Sequence, residues 1–148
     1  MILLRGVSKT FDGKRKVTAL DGIDLSIAKG EMASIVGPSG SGKSTMLNLI
    51  GGLDHPSGGE VELDGQPLSE LSDDDLTRVR RDKIGFIFQF FNLLPTLSCL
   101  ENVSLPLHLR GWPRPKVEGR ARGLLRLVRW SEAPGCVPPD TRRGARPR

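Results

Sequence analysis

A chain of 148 residues, 37% of them hydrophobic, is long enough for one domain with a real core, and none of its apolar runs reaches the length of a membrane span. The net charge of +5 is uneven: residues 1–100 hold eleven Lys and Arg against thirteen Asp and Glu, while residues 101–148 hold eleven against four. Basicity confined to an arginine-rich end, with Trp112 and Trp130 as its only aromatic platform, argues against a nucleic-acid partner.

The opening reads as β structure. Ile2 to Leu4, Val17 to Leu20, and Ile23, Leu25 and Ile27 alternate apolar and polar residues, with Asp12-Gly13 and Asp21-Gly22 as turn signals. Met1 to Arg5 is too short for a signal peptide. Together these segments predict a small antiparallel sheet. Met32, Ala33, Ser34, Ile35 and Val36 follow as a short buried strand.

That strand runs into Gly37-Pro38-Ser39-Gly40-Ser41-Gly42-Lys43-Ser44-Thr45, which satisfies G-x-x-x-x-G-K-[ST], the phosphate-binding loop. Gly37, Gly40 and Gly42 let successive backbone N–H groups turn inward as a nest for phosphate oxygens. A helix start adds partial positive charge. Lys43 supplies an ammonium for the terminal phosphates, Ser44 a hydroxyl for Mg²⁺, and Thr45 supports the helix start. Met46, Leu47, Leu49, Ile50 and Leu53 then recur at helical spacing until Gly51 and Gly52 weaken the helix end.

Downstream, Glu60 to Leu63 reads as a strand closed by the turn Asp64-Gly65, and Ser72 caps a helix with Asp73, Asp74 and Asp75 in its first turn and Arg78, Arg80 and Arg81 near its end. Adjacent aspartates point in different directions, so the triplet reads as a solvated first turn rather than a metal site. Ile84 to Phe88 forms a second buried-strand candidate ending at Gln89, a polar position suited to reaching a ligand. Ser98 and Glu101 make a capping box. Val117 to Trp130 reads as helical, and Cys99 and Cys136 have no metal-ligand spacing and read as free thiols.

The phosphate loop, the stretch Gly51-Gly52-Leu53-Asp54-His55-Pro56-Ser57-Gly58-Gly59-Glu60-Val61 and the stretch Ile84-Gly85-Phe86-Ile87-Phe88-Gln89-Phe90-Phe91-Asn92-Leu93-Leu94-Pro95 together resemble the ATP-binding subunit of ABC transporters. Within that family the likeness is to exporters of the lipoprotein-release and macrolide-efflux type, over about residues 1–130. The resemblance implies an α/β P-loop NTPase fold, here its N-terminal part, with a parallel core sheet and an antiparallel β subdomain. It implies ATP and Mg²⁺ as cofactors and a transmembrane permease as partner, with homodimerisation in the full-length family. The chain would be cytoplasmic, peripheral on the inner face of the membrane through that permease. Gln89 matches the glutamine that touches Mg²⁺ and the attacking water, and Phe11 sits where the family stacks an aromatic on adenine. A core aromatic at Phe11 and an ordinary strand-end glutamine at Gln89 stay open beside those roles.

The family pattern continues into an L-S-G-G-Q signature, an apolar strand ending in Asp-Glu and a His-bearing loop, none of which follows here. The histidines are His55 and His108 alone. Residues 131–148 carry Pro134, Pro138, Pro139 and Pro147 among arginines, a composition that reads as a disordered tail, as an out-of-frame end would leave. The expectation is a chain truncated before its hydrolytic half, binding nucleotide without efficient turnover. The alternatives are a noncatalytic nucleotide-binding module docking on a transporter, or a nonfunctional gene fragment. A small nucleotide kinase or GTPase would leave the match over 84–95 unexplained.

Overall fold

The computed structural model describes residues 1–89 and 92–130. The chain divides into two compact units, Met1–Phe86 and Ile87–Arg148. The tail expected to be disordered, Cys136 within it, and Phe90 and Phe91 of the second matching stretch lie outside the described residues.

In the first unit a four-stranded antiparallel sheet has the order β2-β1-β3-β4, with β1 at Ile2–Phe11, β2 at Val17–Ile27, β3 at Gly58–Leu63 and β4 at Gln66–Pro67. Leu4 of β1 faces Leu25 on one side and Val61 on the other, so the alternating apolar residues stack on one face. Helices α1 (Lys43–Ile50) and α2 (Asp73–Lys83) bring Leu49, Leu76 and Val79 to a core that also holds Leu4, Val7, Leu20, Val61 and Leu68. Each such side chain, fully buried, is worth about 1.5–3 kcal/mol relative to exposure. The Arg80 guanidinium ties α2 to the end of α1 by donating to the Gly52 carbonyl, and it is steadied within α2 by donating to Thr77 Oγ1 at 2.6 Å.

Several predicted turns and caps hold. Asp64 and Gly65, at φ 49° and 80°, form the two-residue connection between β3 and β4, both left-handed as the tight hairpin requires. Ser72 Oγ accepts from the Asp75 amide at 3.2 Å and so caps α2. Asp21-Gly22 is not a turn. It lies within β2, where the register slips between the pairs Val7–Ile23 and Lys9–Leu20; a glycine at positive φ serves a bulge as readily as a turn, and Gly22 N–H donates to Ser8 Oγ at 2.9 Å.

The two segments expected as buried strands differ most. Neither 32–36 nor 84–88 belongs to a ladder, and Met32, Val36 and Ile87 are exposed by 97%, 85% and 102%. A parallel strand is held only by neighbours reached through crossover connections, and the described residues place no strand beside either segment. The sheet that forms is therefore the antiparallel one, whose strands are joined within residues 1–67.

The second unit contains helices α3 (Cys99–Leu109) and α4 (Arg114–Leu127), which bury Cys99, Ser104, Val117, Ala121 and Leu125. The Ser98–Glu101 capping box is complete. Asn102 pins the preceding loop: its Oδ1 accepts from the Leu94 amide at 2.9 Å, and its Nδ2 donates to the carbonyls of Leu94, Leu97 and Ser98 at 3.0–3.1 Å. Helix α4 begins three residues before Val117, because Pro113 and Pro115 favour a helix start.

Candidate phosphate-binding site

Residues 37–45 come together as a single cradle. Gly40 and Gly42 have φ of 81° and 86°, and α1 starts at Lys43 with no side-chain cap. Its first-turn N–H groups, which have no partner within a helix, are thus available to an anion. Ala19, Ser39, Gly40, Ser41, Gly42, Lys43, Ser44 and Thr45 line a cleft of about 490 Å³, within the usual range for small-molecule sites.

Gly42 fixes where the loop sits. A Cβ there would meet the Ala19 carbonyl oxygen at 2.5 Å and Leu20 Cδ2 at 2.9 Å, so the bare glycine backbone lies against β2. Ala19 thereby becomes a wall of the cleft, a role that the sequence alone does not signal because its contribution is backbone. Lys43 turns its ammonium onto the loop, donating to the Gly37 carbonyl at 2.9 Å, the Pro38 carbonyl at 2.6 Å and Ser41 Oγ at 3.4 Å. Within the loop, Ser41 N–H donates to the Pro38 carbonyl at 3.3 Å. The cradle's cation is held in place by its own strap.

Phe11 ends β1, is 45% exposed and lies outside the cleft lining; it does not join the core. Gln89 is exposed and follows a segment outside the sheet, so it is not the end of a strand, and it belongs to the second unit. Lys9 was not singled out by sequence, where it reads as one polar position of an alternating strand. Its ammonium donates to Asp54 Oδ1 and to the His55 carbonyl, both at 2.7 Å. Burial works to raise the Asp54 pKa, but the Lys9 hydrogen bond, the His55 amide and the charges of Lys9 and His55 outweigh it and hold the carboxyl below its ordinary value.

The ABC transporter family profile matches residues 20–140. The chain belongs to the ABC transporter family. Among curated ABC relatives, an uncharacterized ABC transporter ATP-binding protein of Methanocaldococcus jannaschii is 50% identical over 133 residues, covering 89% of this chain and 57% of the relative. The lipoprotein-releasing system ATP-binding protein LolD of Chromohalobacter salexigens is 45% identical over 129 residues, covering 86% and 54%. The macrolide export ATP-binding/permease protein MacB of Bdellovibrio bacteriovorus is 51% identical over 108 residues, covering 72% and 17%. A solved dimeric ATP-binding cassette in a post-hydrolysis state, bound to ADP and Pi, superposes with a TM-score of 0.86 at 46% identity over 94% of this chain and 62% of that one. The fold is accordingly that of the N-terminal part of an ABC ATPase cassette, and the chain spans little more than half the length of the first two curated relatives.

Proposed function

We propose that this chain is the nucleotide-gripping part of an ABC transporter ATP-binding subunit of the lipoprotein-release and macrolide-export type. The observation that carries this is the cradle itself, a loop of left-handed glycines opening an uncapped helix with the Lys43 ammonium at its centre. Residues 37–45 hold the phosphates of ATP, with Lys43 exchanging the Gly37 and Pro38 carbonyls for phosphate oxygens and Ser44 offering its hydroxyl to Mg²⁺. Phe11 offers a face to adenine, and for Gln89 the role in Mg²⁺ and water contact rests on the family resemblance of residues 84–95 alone. The binding of ADP by a solved relative at 46% identity supports the choice of nucleotide, and the name of the MacB relative, an ATP-binding/permease protein, supports a permease partner.

Binding and turnover separate in this reading. No carboxylate lines the cleft among the described residues, whereas phosphoryl transfer in such sites needs an acidic Mg²⁺ ligand and a group to orient water. These 148 residues therefore bind ATP without efficient hydrolysis. Residues 1–130 are the binding portion. Titration calorimetry with Mg²⁺-ATP tests it: Lys43→Ala weakens binding by at least about tenfold, the scale of a lost charge-assisted contact, and purified chain shows no phosphate release above background. Equal affinity of Lys43→Ala and the native chain for ATP would overturn the site. ATP turnover abolished by the same substitution would overturn the separation.

A further inference from the structure

Lys9 is held in an unusual setting for a strand lysine. Its side chain is only 12% exposed and is paired with Asp54, and its ammonium also lies 5.1 Å from the centroid of the Phe11 ring. A charge withdrawn this far from water persists only with well-placed partners, and here the Asp54 carboxylate and the His55 carbonyl supply them. Phe11 remains 45% exposed even with the ammonium over its ring, so it stays within reach of a ligand. Phe11 pairs with Val17 on β2, and Ala19, which lines the phosphate cleft, is two residues further along that strand, about 7 Å away. The ring and the cradle share one end of the β1–β2 pair.

We propose that Lys9 is a positioning residue that sets base recognition in the nucleotide cleft. Anchored by Asp54 and His55, it covers one face of Phe11 and presents the other to a purine. It draws π density toward itself, which makes the open face a better platform for an electron-rich base. The same ammonium ties β1 to the segment just after helix α1, whose first residue is Lys43. One cation thus fixes the base platform and the phosphate cradle at a set separation. The proposal rests on the reading of the cleft as a nucleotide site.

Calorimetry on the full chain with two probes, Mg²⁺-ATP and Mg²⁺-tripolyphosphate, separates the base from the phosphates. Lys9→Met should lower ATP affinity by about fivefold, the scale of one cation–π contact, and leave tripolyphosphate affinity within about twofold, while Lys9→Arg restores part of the preference. Asp54→Asn, which keeps the ammonium but removes the negative charge that anchors it, should lower the preference for ATP in the same direction. Equal losses for both probes in Lys9→Met and Asp54→Asn would mean that the anchor is merely structural and would overturn the proposal. A fall in the ATP preference in Phe11→Ala but not in Lys9→Met would overturn the role of Lys9 and leave the base platform standing. No fall in Phe11→Ala would remove the platform, and Lys9's role with it. Failure of the native chain to bind either probe would overturn the nucleotide reading beneath them both.

Discussion

The first residues of β1 and residues 32–36 are both short apolar runs, yet Leu4 is 1% exposed and Val36 is 85% exposed. The difference lies in their partners. Leu4 sits between Leu25 and Val61 in adjacent strands, while 32–36 makes no backbone hydrogen bond among the described residues. A buried-strand composition is thus a statement about what a segment can offer a neighbour, and burial follows only where a neighbour is supplied.

Truncation on either side of this contrast gives the largest separation. Leu4→Ala should cost about 2–5 kcal/mol through the lost transfer energy and the cavity left behind, seen as a lowered chemical-denaturation midpoint, whereas Val36→Ser should stay within about 0.5 kcal/mol. Comparable costs would mean that 32–36 is covered in solution. Gly42→Ala comes next, since the new Cβ collides with β2 where the loop after 32–36 lies against it; about 1–3 kcal/mol of strain is expected, with weakened ATP binding. Helix α3 offers a third case, an element satisfied by its own residues. Ser98→Ala should cost about 1 kcal/mol by removing the cap, measurable as loss of helical signal on heating.

Acid gives the smallest effect. The Glu101 carboxyl is held below its ordinary value by the Ser98 hydroxyl and amide, and Asp54 is lowered by partners that outweigh its burial. A lowered folded-state pKa means that the stabilisation is fully present above the unfolded carboxylate value of about 4. It is lost as pH falls through the folded value. Hydrogen exchange at pH 5 and pH 3, corrected for the intrinsic rate, should show the start of α3 losing protection. Residues 32–36, which contain no ionisable side chain, should remain unprotected at both pH values.

The sequence showed most where structure is decided locally. The Asp64-Gly65 turn, the caps at Ser72 and Ser98 and the glycine loop before Lys43 each depend on residues within a few positions, and each forms. Asp21-Gly22 misled because a positive-φ glycine is common to turns and bulges. Pairing across long separations was not legible: Lys9 meets Asp54 across 45 positions, and the Ala19 wall beside Gly42 is backbone, which leaves no residue pattern to read.

Asn102 makes the loop before α3 depend on a single side-chain amide. Its amide nitrogen is donated to three carbonyls of the loop before α3. Asn102→Asp would keep the acceptor for Leu94 and set a second carboxylate oxygen against those carbonyls. Three of the four contacts that lock the loop would then repel, so its integrity hangs on one nitrogen atom of one side chain.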